Sequence, residues 1–444
     1  MNRAAVLLPA SLFAASFAVF CWSPNHQMTD SGYALLTTEN LIRHGDLDLA
    51  RYRLDQGPGS NYRLEHVGER TVYFFPVAGS ILSVPYLALD RLLARPIVNQ
   101  DGAYAVKAEE AAEARLASLL MAAFTVIVFL TARLVLPAGR SLLVALVVAF
   151  GTQVYSTASR TLWSDSWALV LVGSAVYLLL RSAVRGDDRP LVWLATLESW
   201  AYLVRPTNGI ALVGTGIFLL SVERRGSWKF FVTVGLWLVA FVADSLRRFG
   251  APLPAYFHGR LGPFSGEALA GTLISPSRGL LVCVPATLAV ILLMVRYSMV
   301  RYPMVRHRAE LRFVPLVRLA IGVCVFHVLA ISAFDKWWGG HTFGARLCTG
   351  MVPWLALLAI LSVAGARREA QPDARRAGAA PVAGLALLLC GLSVVINAAG
   401  AISARTVRWN VSPVNVDLAP ERLWSWRRAQ VLAAFTPDAD APRR

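Results

Sequence analysis

The chain has 444 residues, of which 56% are hydrophobic and only 16% charged, and its mean hydropathy is positive. That balance excludes an ordinary soluble domain and describes a polytopic membrane protein. The formal charge of +16 does not signal nucleic acid, because the arginines fall in short clusters between apolar runs and form no basic face. Only Lys107, Lys229 and Lys336 accompany the arginines. Cys21, Cys283, Cys324, Cys348 and Cys390 lie in or beside apolar runs without a CxxC pair, and the histidines show no HExxH pattern. The sequence thus offers neither a disulfide framework nor a structural zinc site.

Apolar runs near 4–22, 115–135, 141–158, 163–181, 190–205, 207–222, 228–247, 279–296, 313–333, 346–366 and 378–401 predict about eleven transmembrane helices. The first reads as an uncleaved anchor, because Ala-Val-Phe-Cys-Trp (18–22) lacks the small-x-small pattern of a signal-peptidase site. Arg133 and Arg140, "RSAVRGDDR" (181–189), "ERRGSWK" (223–229), the arginines from Arg296 to Arg318 and "RREAQPDARR" (367–376) place one set of loops in the cytoplasm. The opposite, external side then receives 23–112, "STASRTLWSD" (156–165), "LVRPTN" (203–208), 248–278, the bend around 334–345 and the tail after 402. The expected fold is an all-α polytopic membrane protein with a transmembrane domain over 1–402 and an external C-terminal tail over 403–444. Within it, the large external first loop 23–112 carries membrane-surface helices. "TVYFFPVAGSILSVPYLALDRLL" (71–93) is apolar, but Pro76 and Pro85 interrupt it, and a full crossing would invert every later loop.

Within the first loop, Asp30 follows the first span closely enough to sit near the headgroup level. It, Thr29 or Ser31 would equally make an N-cap for a short amphipathic helix ended by Gly45. Arginine's planar fork suits phosphate oxygens, which singles out Arg160, Arg205, Arg278 and Arg346; headgroup contact or snorkelling describes the same residues. Arg278 leads, because "SPSRG" surrounds it with turn residues, and Arg205 follows, because Pro206 breaks its helix. In "DKWWGGHTFGAR" (335–346), Trp337 and Trp338 fit an interfacial aromatic belt, and Gly339 and Gly340 allow a tight bend. Lys336, His341 and Arg346 flank that bend, as either an anchoring turn or a wall for a phosphorylated lipid and a sugar ring. Glu198 lies midway along an apolar run, where it would neutralise Arg160 or Arg205 or belong to a proton path.

The order of "YFFPVAGSILSVPYLAL", "EARLASLLMAAFTVIVFLTARLVL" and "STASRTLWSDSWALVL", with an external loop opening on an acidic residue, resembles the GT-C superfamily of integral membrane glycosyltransferases, in particular its aminoarabinose and protein O-mannosyl transferases. "LVRPTN", "SPSRGLLV", "WWGGHTFGARL" and "WNVSPVNVDLAPERLWSW" are similar to bacterial proteins grouped with that superfamily. The chain departs from its best-known members in having a lone Asp30 followed by Ser31 where they carry an Asp-Glu pair. The resemblance implies transfer of a sugar from a polyprenyl-phosphate donor to a lipid, glycan or protein acceptor at the external face of a bacterial cytoplasmic membrane. Asp30 and Asp165 would be the catalytic carboxylates, and Arg278, Arg205, Arg346, Arg160 and Lys336 would hold the donor phosphate. His341, Trp337, Trp338 and Tyr33 would line the substrate site. A divalent cation, Mg or Mn, is compatible with that family. A flippase for a lipid-linked glycan and a noncatalytic envelope-assembly scaffold are the competing readings. A transporter would carry repeats and several polar groups at mid-membrane, whereas here Glu198 and His327 are nearly alone.

Overall fold

The structure, a computed structural model, describes residues 3–54, 61–186, 189–258, 262–301, 313–368 and 379–436. It is that of an all-α membrane protein. After α1 (Arg3–Trp22) the first loop holds α2 (Ala34–His44), a hairpin of β1 (Leu64–Val67) and β2 (Arg70–Tyr73), and the short helices α3 (Ala78–Leu82) and α4 (Val84–Leu92). The hairpin pairs Glu65 with Val72 and His66 with Thr71. Then follow α5 (Val106–Arg133), α6 (Ala138–Phe150), α7 (Ser164–Arg185), α8 (Leu191–Val204), α9 (Gly209–Val222) and α10 (Trp228–Phe249). The second half comprises α11 (Gly266–Ile274), α12 (Leu280–Cys283), α13 (Ala286–Arg301), α14 (Val314–Ile331), α15 (Val352–Arg368), α16 (Ala379–Ile402) and α17 (Ala404–Arg408).

The expected count of about eleven crossings is corrected by this geometry. Among the described residues, six helical segments are long and apolar enough to span a bilayer: Val106–Arg133, Ser164–Arg185, Trp228–Phe249, Val314–Ile331, Arg346–Gly365 and Pro381–Ile402. The apolar stretches Val6–Trp22, Ala138–Phe150, Leu191–Val204, Pro206–Val222 and Ala286–Arg296 are helical but shorter. Hydropathy reads through interruptions that the backbone does not. The run near 141–158 ends its helix at Phe150 and resumes as a wide turn over Val154–Ala158. Pro206 stops the run near 190–205, because the residue before a proline avoids helical backbone, and Arg205 is accordingly extended with φ −149° and ψ 109°.

Segment 71–93 holds no helix long enough to cross. Its longest helix, α4, has 9 residues, which at 1.5 Å each covers under half of a roughly 30 Å hydrocarbon core. The buried core centres on α5, which packs against α1, α6, α7 and α15, whereas α10 leans on α8 and leaves most of its apolar surface outward. The loops after α1, α6, α8, α10 and α14, and the segment after α16, meet at one end. Asn25 donates to the carbonyls of Gly400 and Ser403, Arg70 to that of Arg248, and Arg346 to Asp30. At the other end Arg189 pairs with Glu223 at 2.7 Å. Parts of the expected arginine clusters, at 187–188, 302–312 and 369–378, lie outside the described residues.

Candidate functional site

Four charged residues, separated by up to 316 positions, form one alternating chain at the end where the loops meet. Arg346 Nη2 donates to Asp30 Oδ2 at 3.1 Å; its Nε lies 3.9 Å from Asp165 Oδ2; and Arg205 Nη1 donates to that same oxygen at 2.7 Å. Each is delivered by an element end. Asp30 occupies the turn before α2, Asp165 the first turn of α7, Arg205 the C-terminus of α8, and Arg346 opens a tight helical turn running into α15. The Asp165 side chain is fully buried, whereas that of Asp30 is 29% exposed, so the chain runs from the interior to an open mouth.

That mouth is a small open cleft lined by Asp30, Ser31, Tyr73, Phe75, Trp163 and Arg346 together with Trp167, Tyr256 and small residues of α3. The Arg346 guanidinium stacks 3.4 Å from the centre of the Trp163 ring, a cation–π contact that fixes its plane. Tyr73 donates to the Asp30 carbonyl at 2.5 Å, and Tyr62 donates to Asp30 Oδ1 at 3.3 Å. Burial pushes the Tyr256 hydroxyl up, with Arg205 and Arg346 opposing, so it stays a neutral donor at physiological pH. Arg346 Nε and Asp165 Oδ1 are buried without a hydrogen-bond partner.

Asp30, Asp165, Arg205 and Arg346 therefore stand together; the other expected contacts are placed elsewhere. Arg278, the leading phosphate contact in the sequence, directs all its donors to the protein: the carbonyls of Trp338, Ser277 and Gly340, Asn410 Oδ1 and Gln430 Oε1. Arg160 binds the carbonyls of Ser23 and Phe20 and the Ser159 hydroxyl. Burial pulls both guanidiniums down to about 10, which leaves them charged at neutral pH with internal partners only. Each guanidinium thus clamps neighbouring segments of the protein together.

The "WWGGH" bend is likewise a latch. Lys336 and the Trp338 indole both bond Asp417, each at 2.8 Å, His341 meets Asn415 Oδ1 at 2.8 Å, and Trp337 packs on Trp424 at 6.1 Å between ring centres. Gly339 and Gly340 take φ values of 73° and 70°, which side chains disfavour. Lys336, His341, Trp337 and Trp338 thus hold the C-terminal segment and do not line the cleft. Tyr33 also lies outside it, bonded by Asn61 and facing Arg63.

The sequence reading missed Tyr73, Tyr256, Trp163 and a pair of acids on α5. Glu109 accepts from the amides of Tyr33 and Leu36 and from the Tyr104 hydroxyl. A carboxylate from another helix therefore satisfies the N-terminus of α2, in place of Thr29, Asp30 or Ser31; Gly45 ends that helix as expected, with φ 72°. Glu113 accepts from Thr161 at 2.7 Å. Both acids are fully buried; their i, i+4 spacing on one helix face was the available signal. Glu198 is paired with the Thr215 hydroxyl at 2.9 Å, not with Arg160 or Arg205.

The donor set does not fit Mg or Mn. Asp30 and Asp165 are each bonded to a guanidinium, and Arg346 stands between them, where a divalent cation would be repelled. Among the described residues no group of three His, Cys, Asp or Glu gathers elsewhere. Compared with models of known protein families and with curated protein sequences, the chain matches none.

Proposed function

We propose that this protein is a membrane glycosyltransferase that moves a sugar from a polyprenyl-phosphate donor to an acceptor hydroxyl. The observation that carries the reading is the Asp30–Arg346 pair at the mouth of an aromatic cleft, with Arg346 Nε still lacking a hydrogen-bond partner. Sugar transfer from a lipid phosphate needs cations where charge grows on the departing phosphate and a carboxylate that orients the incoming hydroxyl. Arg346 supplies the first, backed by Arg205 through Asp165, and Asp30 supplies the second. Tyr73, Phe75 and Trp163 provide flat apolar faces suited to a sugar ring. The charged groups gather at one end, which favours an enzyme over a carrier with polar groups at mid-membrane.

The resemblance to GT-C transferases, together with the arginine-rich loops opposite the cleft, supports a bacterial cytoplasmic-membrane location with the N-terminus cytoplasmic and the cleft external. The test compares glycolipids and surface glycans of wild-type, deletion and Asp30→Asn cells. The deletion is expected to lose a product, and Asp30→Asn to lower it by about 10²-fold or more. An unchanged glycan profile in the deletion strain overturns the reading.

A further inference from the structure

Beside Asp30 the cleft wall contains Ser31, and from it a line of hydroxyls leads into the protein. Ser31 Oγ lies 2.9 Å from Thr161 Oγ1, and Thr161 Oγ1 donates to Glu113 Oε2 at 2.7 Å. Ser31 and Thr161 are each 2% exposed and Glu113 is 0% exposed, so water does not compete for these contacts. Glu113 Oε1 is buried with no hydrogen-bond partner, and among the described residues no arginine, lysine or histidine forms an ion pair with Glu113. The titratable groups facing it are Glu109 on its own helix, Tyr73 from β2 and Tyr104 from the segment before α5. Glu109 differs in accepting from two backbone amides and the Tyr104 hydroxyl, so both of its oxygens are bonded where one oxygen of Glu113 is not.

Both oxygens of Asp30 are already engaged, Oδ2 by Arg346 and Oδ1 by Tyr62, whereas Glu113 keeps one oxygen without a hydrogen bond. We infer that the proton released in the cleft travels along Ser31 and Thr161 to Glu113. The inference rests on the transferase reading. In the step, the acceptor O–H bond breaks as its oxygen bonds the sugar's anomeric carbon, and the bond from that carbon to the phosphate oxygen breaks with its electron pair leaving on phosphate. The acceptor's proton passes to Ser31 Oγ, the Ser31 proton to Thr161 Oγ1, and the Thr161 proton to the Glu113 carboxylate. Reversal of the same hops discharges Glu113 to water once the product leaves. Asp30 then orients and Glu113 receives, two roles that one arginine-bonded carboxylate would perform badly.

The test uses the full chain in nanodiscs, without ligand, and reads the infrared carbonyl stretch of protonated carboxyl groups after transfer to D2O. Glu113→Gln is expected to remove one such band in an acid titration. Thr161→Val is expected to slow deuteration of that band by about 10²-fold, the lower range of what a positioned proton-transfer group contributes, and Thr161→Ser to restore the wild-type rate. Loss of a merely structural hydrogen bond would speed exchange, not slow it. Exchange in Thr161→Val at the wild-type rate, or no band lost in Glu113→Gln, overturns the wire. In cells, Glu113→Gln and Thr161→Val should lower the product that the deletion loses, with Thr161→Ser close to wild type. A working wire with glycans unchanged in the deletion strain overturns the transferase reading, and this role of Glu113 with it.

Discussion

Two arginines show how context decides a role that residue type leaves open. Arg278 and Arg346 both flank the bend at 334–346, and both suit phosphate by their chemistry. Arg278 is enclosed by five oxygen acceptors, drawn from the bend and the C-terminal segment, whereas Arg346 faces the cleft with Nε unfilled. Arg346→Gln should therefore weaken binding of a polyprenyl phosphate by roughly ten- to a hundredfold, the equivalent of about 1.5–3 kcal/mol for a charge-assisted hydrogen bond. Arg278→Gln should leave phosphate binding intact. It strands buried carbonyl groups, each costing about 1–3 kcal/mol, and should lower the melting temperature of the detergent-solubilised protein. Normal stability with lost phosphate binding in Arg278→Gln would return that residue to the site. Asp30 and Asp165 were readable from the sequence as acids at the ends of apolar runs. Tyr256 was not, because nothing local marks the one tyrosine of its loop that reaches the quartet.

At the level of elements, the bend and the tail act as one unit. The tail, expected as an external appendage, is joined to the bend by Asp417, Asn415, Trp424 and Gln430, and the bend ends on Arg346. The tail thus sets where a cleft residue stands. Burial raises the Asp417 carboxyl, but hydrogen bonds from Lys336 and Trp338 outweigh it and hold the group below its ordinary 3.8. A depressed native value stabilises the latch above the unfolded value, and that contribution is lost as pH falls through the native one. Below about pH 4, protease access to the tail and the tryptophan fluorescence of the latch should therefore change, and Asp417→Asn should show the loosened behaviour at neutral pH. Equal protease access in wild type and Asp417→Asn at neutral pH would remove the latch role. The sequence did identify the bend itself, through its glycines and tryptophans; its partner lies some 80 residues downstream, beyond any periodicity.

Across the whole molecule, the loops expected on one side of the membrane do meet at one end, even though among the described residues six helices have the length to cross. The grouping of loops follows where the charged loops alternate, whereas span count depends on breaks such as Pro206 that hydropathy does not register. The proposed orientation makes a direct forecast. Cysteines placed at Glu69 and Leu418, both exposed at the cleft end, should react with an impermeant maleimide in intact cells, and one at Arg225, exposed at the opposite end, only after permeabilisation. The five native cysteines are buried or half-buried and give a low background. Labelling of Glu69 and Arg225 positions from the same side would overturn the arrangement.

Composition and the order of apolar and charged runs by themselves determined that this chain lives in a membrane, that its helices dominate, and that its acids and several arginines collect at one face. Those properties follow from transfer free energies, which each residue carries wherever it sits. Only the tertiary structure decided which arginine keeps a free donor, that the tryptophan bend holds the tail, and that Glu113 is wired to the cleft through Ser31 and Thr161. Those are properties of partners, and a side chain's partners come from segments up to hundreds of residues away, which no local pattern encodes.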